Sequence, residues 1–91
     1  MEKSLAKRFV YYKDRGSSEE IYISNSLEPI LEMTYGILIG VYAVVDGYEG
    51  GEKLVEMDYD YVGEPVIIWS RPYLHYQTFL DYHKNVEIKK L

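Results

Sequence analysis

A chain of 91 residues without cysteine is long enough for one domain, and neither disulfides nor thiolate–zinc sites can brace it. Hydrophobic residues make up 47% of it, which argues for a folded globule, and a formal net charge of −5 makes it a poor candidate for binding a nucleic-acid backbone. The longest charge-free stretch, Met33 to Val45, falls well short of the roughly 20 residues that span a bilayer, and no apolar leader follows Met1, so the expectation is a soluble, cytoplasmic protein.

Residues 7–13 alternate Phe9 and Tyr11 with Arg8, Val10 and Tyr12, the period of a strand. Asp14 to Ser18 is a turn cluster around Gly16, and Ile21-Tyr22-Ile23 reads as the returning strand of a hairpin. The period then changes. Ser26 is placed to cap a helix over 26–35, with Glu28 and Pro29 in its first turn, Leu27, Ile30, Leu31 and Tyr35 at helical spacing, and Gly36 at its end. Residues 37–45 are apolar throughout, as in a central strand covered on both faces. After a glycine-rich reversal at 46–51, residues 53–62 form the partner strand of a second hairpin.

Gly63-Glu64-Pro65 breaks that strand, and Val66 to Trp69 reads as another short central strand. Ser70 as N-cap and Pro72 in the first turn predict a helix over 71–84, with Asn85 as its stop and 86–91 as an edge strand or frayed tail. No repeat or linker interrupts the chain. The expected fold is a single α+β domain spanning 1–91, an antiparallel sheet of four to five strands with two helices.

Within the second hairpin, Glu56, Asp58 and Asp60 fall at every second position, interleaved with Val55, Met57, Tyr59 and Tyr61. On a strand they would line one face at intervals of about 6.6 Å, an arrangement of like charges that does nothing for folding unless cations or water answer it. Residues 46–64 carry a net −6, whereas residues 1–15 carry +3 and residues 84–91 carry +2. An acidic middle between basic ends suits a basic partner. Eleven of the fourteen aromatic residues are tyrosine, a residue common at half-exposed surfaces and interfaces.

Catalytic signatures are missing from the sequence. Glu56, Asp58, Asp60 and Glu64 have the chemistry for a hard cation, but extended-strand spacing holds them too far apart, and no EF-hand loop surrounds them. His75 and His83 stand about 12 Å apart along the expected helix and cannot share a metal. There is no cysteine, nucleophile elbow or P-loop ending. The expectation is therefore no enzyme, no metal and no cofactor.

Protein recognition is the class that remains. Asp46, Glu49, Glu52, Glu56, Asp58, Asp60 and Glu64 are the residues expected to dock on a basic protein surface, in the manner of an inhibitor or a nucleic-acid mimic. In size and composition the chain resembles the small acidic inhibitor proteins of phages and archaeal viruses, such as DNA mimics and anti-CRISPR proteins. The bland alternative makes the acidic face the solvated side of a hairpin, neutralised by Lys7, Arg8, Lys13 or Lys53. Two further alternatives are a homodimer, or a larger homo-oligomer, pairing basic ends with the acidic middle, and nucleic-acid contact through Lys7, Arg8, Tyr11, Tyr12 and Lys13. Net charge counts against the second, and no membrane partner is expected.

Overall fold

The computed structural model describes residues 6–47, 51–71 and 73–91. Its elements are β1 (Ala6–Asp14), β2 (Glu19–Ser24), α1 (Glu28–Met33), β3 (Val41–Asp46), β4 (Glu52–Tyr59), β5 (Pro65–Ile67), β6 (Leu74–His75), α2 (Tyr76–Tyr82) and β7 (Ile88–Lys90). The strands join in the order β5-β4-β3-β1-β2-β7, with β6 also on β4. All pairings are antiparallel except that of β7 with β2. The domain is α+β as expected. Its sheet is larger than four to five strands and is mixed, because 86–91 returns alongside β2 in parallel and 74–75 extends the ladder of β4.

Period-two alternation on two central strands gives the sheet a core on each face. Val41, Ala43 and Val45 of β3 point with Val55 and Met57 of β4 toward Ile30 of α1 and Leu38. Val10, Ile21, Val44 and Leu54 point the other way, against Tyr76 and Phe79 of α2. Both helices are short, six and seven residues, a length that is marginal without tertiary packing. Ile30, fully buried, is the anchor of the first.

The first hairpin forms as its residues dictate. Asp14 Oδ1 accepts the Gly16 N–H at 2.8 Å, Arg15 N–H bonds to Ser18 O at 2.9 Å, and Gly16 takes φ +83°.

Four expectations need correction. Ser26 does not cap α1: its own N–H is held by Ser24 Oγ at 3.1 Å, and Leu27 precedes the helix without a side-chain cap, so α1 spans 28–33 rather than 26–35. The second helix begins at Tyr76 rather than 71, because Leu74 and His75 are engaged in strand pairing with Leu54 and Lys53; His75 stays extended at ψ 139° and the helix ends at Tyr82. His75 is its N-cap and His83 its C-cap, so the two histidines flank α2 at opposite ends rather than lie within it. Residues 37–40 are loop, not strand, since Gly36 and Gly40 both take positive φ and delay β3 to Val41. Finally, β5 lies at the sheet edge rather than its centre and stops at Ile67.

Candidate protein-interaction surface

The acidic residues fall into two groups with different surroundings. Asp46 and Glu52 face each other directly across β3 and β4, a like-charge pair that would be destabilising alone. Strand β1 answers both: Lys7 Nζ lies 2.9 Å from Asp46, and Arg8 donates to Glu52 at 2.6 Å. The β1–β3 register breaks between Ala6 and Arg8, at this pair of cations. The Arg8 guanidinium also lies 4.5 Å over the Tyr76 ring, tying the sheet to α2. Further along β4, Glu56 pairs with Arg71 at 3.2 Å. Lys53 reaches the Tyr73 hydroxyl at 3.2 Å, and Lys13 stands opposite Glu20. Asp46 and Glu52 are thus each answered by a cation of β1, Lys7 and Arg8. Glu49 lies outside the described residues.

At the far end of β4 the arrangement differs. The strand ends at Tyr59, so Asp60 leaves the row expected of Glu56, Asp58 and Asp60 and enters the β4–β5 turn. There Asp60 Oδ1 accepts the N–H groups of Val62 at 2.9 Å and Glu64 at 2.8 Å, while its own N–H bonds to Glu64 O at 2.8 Å. Gly63, at φ +86°, closes the turn. Its role there is the local capping that makes Asp a turn residue. Asp58 is exposed, its Oδ1 accepting the Tyr59 N–H at 2.8 Å. Among the described residues no ion pair reaches Asp58 or Asp60.

Beside this tip lies a feature the sequence reading missed. Helix α1 ends with Gly36 N–H bonded to Leu31 O at 2.9 Å and Tyr35 N–H to Glu32 O at 3.4 Å, the paired bonds of a Schellman motif. That motif places Tyr35 at the left-handed position, φ +54°, where glycine is usual. Its ring is 92% exposed. The loop continues with Ile37 at 53% and Ile39 at 81% exposure, while Leu38 between them packs into the core. Tyr12 N–H bonds to Gly40 O at 2.9 Å, and a Cβ at Gly40 would stand 2.5 Å from Tyr12 O, so glycine is required for the loop to sit against β1. Residues 36–40, residues 56–59 and Arg71 enclose an open cleft of about 410 Å³. Across the β4–β5 turn, Tyr61 is 98% exposed beside Val62. The result is an apolar, aromatic end of the molecule carrying Asp58 and Asp60. The signal available in sequence was an apolar triplet between two glycines.

The basic strand is occupied differently from a nucleic-acid platform. Tyr11 packs on the α1 face and stacks on Tyr22, ring centroids 5.9 Å apart, whereas Tyr12 points to the α2 face against Phe79 and His83. Alternation along β1 keeps the two rings from forming one stacking surface. The Tyr12 hydroxyl donates to Glu19, and that bond, with some burial behind it, pushes the phenol up to about 12. His83 accepts no free role: Nδ1 lies 2.9 Å from Phe79 O, which places its proton there.

Among the described residues no three His, Asp or Glu side chains group as a metal site would need, and no helix is long and apolar enough to cross a membrane. No protein-family model, curated protein or solved structure matches the chain.

Proposed function

We propose that the protein is a small acidic interaction module of the regulatory, inhibitor-like kind, which docks on a basic protein surface through the end formed by the β4–β5 turn and the 35–39 loop. One observation carries this reading. Asp58 and Asp60 have no cationic partner among the described residues and sit among exposed aromatic side chains. Tyrosine faces and carboxylates together favour arginine and lysine, through cation–π contact and charge. The acidic residues nearer the start of β4 serve the fold, since Asp46 and Glu52 are held by β1. A line of evenly spaced phosphate-like charges does not form, because Asp60 has left the strand. Recognition by a compact aromatic and acidic end therefore fits better than mimicry of a nucleic-acid backbone.

The test is a titration of a fluorescent oligo-arginine peptide, followed by anisotropy at rising salt. Affinity should fall with salt, and Asp58→Asn with Asp60→Asn should weaken it by up to about fivefold per charge, as expected of exposed pairs. Asparagine keeps the Oδ1 acceptor that Asp60 supplies to the turn, so the fold is preserved. Equal affinity in the wild type and the double variant would overturn the reading.

A further inference from the structure

We infer that the basic surface this end accepts is carried by a second copy of the same chain: its β7 edge, seated head to tail on the aromatic and acidic end. The inference rests on the docking role proposed above and names the partner. Among the described residues strand β7 pairs only with β2 and closes one side of the sheet, while β4 and β5 form the other. Lys89 and Lys90 lie on β7, and Ile88 and Leu91 beside them are exposed at 38% and 48%. A lysine-bearing edge repels another like itself. It is matched instead by an edge of opposite charge with apolar contacts of its own, and the Asp58, Tyr61 and Ile39 end supplies both.

The two surfaces cannot meet within one molecule. Five strand spacings separate β5 from β7, roughly 24 Å at about 4.8 Å each. Because the surfaces differ, contact between copies is heterologous, and each added copy presents a fresh acceptor end and a fresh β7 edge. Association is then a concentration-dependent growth rather than a closed twofold dimer. Opposed charges across the contact make it sensitive to salt.

Sedimentation velocity on three proteins tests this: the wild type, a β7 variant with Lys89→Gln and Lys90→Gln, and an acidic-end variant with Asp58→Asn and Tyr61→Ser. All four positions are exposed, and circular dichroism checks that each variant folds. At low salt the wild-type mass should rise with concentration above the 10.7 kDa of one chain and return to it at high salt. Each variant alone should remain at one chain. Mixed, they should give a species of two chains and no larger, since only one functional surface of each kind remains. The oligo-arginine titration, repeated on the β7 variant, separates the two readings. A wild type that stays at one chain while the β7 variant still binds the peptide overturns self-association and leaves the docking surface standing. Failure of the peptide to bind the β7 variant removes the docking surface as well, and a mixture that shows no two-chain species refutes the head-to-tail geometry.

Discussion

Tyr35→Gly should stabilise the protein while weakening its binding, and the two effects come from different parts of the residue. At φ +54° the tyrosine backbone occupies a region that costs an L-residue roughly 1–2 kcal/mol and costs glycine almost nothing. Glycine gives back about 0.4–1 kcal/mol because the unfolded chain gains freedom. The ring is 92% exposed, so its removal sacrifices little burial. The net expectation is a gain of about 0.5–1 kcal/mol, read as a higher urea midpoint at unchanged slope. Tyr35→Ala is the control: it removes the ring but keeps the Cβ, and its midpoint should stay near that of the wild type. Both variants lose an exposed cation–π contact of about 0.5–1 kcal/mol and should bind the oligo-arginine peptide roughly twofold to fivefold more weakly. If glycine proved no more stable than alanine at this position, the strain argument would fail. If both bound as the wild type does, Tyr35 would have no part in the surface.

Arg8→Met should cost about 1–3 kcal/mol in urea unfolding, combining loss of the half-buried Glu52 bond, the Tyr76 contact, and exposure of Glu52 to the facing Asp46; adding Glu52→Gln should restore part of it, and a change under about 0.5 kcal/mol would deny Arg8 this role. Leu54→Ala, at a side chain only 1% exposed in the α2-side core, should cost about 2–5 kcal/mol, a fall in Tm of more than about 8 °C. Tyr12, its phenol held up to about 12 by Glu19, has a folded pKa above the unfolded value near 10, so this bond's stabilisation is complete below about pH 10 and lost as pH climbs toward 12. Unfolding followed across that window should show a falling slope that Tyr12→Phe flattens in part, and tyrosine-labelled NMR should find the Tyr12 phenol titrating at about 12, with Tyr22, hydrogen-bonded to Glu20, and half-buried Tyr42 raised as well.

How much of this could be read from the residues depends on whether a neighbour in sequence or a neighbour in space decides the conformation. The 6–24 hairpin was legible because Asp14 and Gly16 settle the turn locally and alternation settles the strands. The start of α2 was not, because Ser70-Arg71-Pro72 has the chemistry of a helix entry while Leu74 and His75 bond instead to β4, which lies some twenty residues away. Asp60 was misplaced for a similar reason: period-two spacing continues through it, but the Gly63 turn takes its side chain to cap backbone N–H groups.

The most informative departure is at 37–40. Hydrophobicity alone assigns Ile37, Leu38 and Ile39 to a central strand, and for Leu38 the burial is as expected. Ile37 and Ile39 are left in solvent, held there by Gly36 and Gly40 and preceded by a tyrosine in a conformation meant for glycine. Local rules broken without any gain in folding are the mark of a site with another purpose. Three such departures, strained Tyr35, unburied isoleucines and an exposed Asp58 that no ion pair reaches among the described residues, coincide at one end of the sheet. That coincidence, rather than the acidic alternation itself, is the reason to place the proposed interaction surface there.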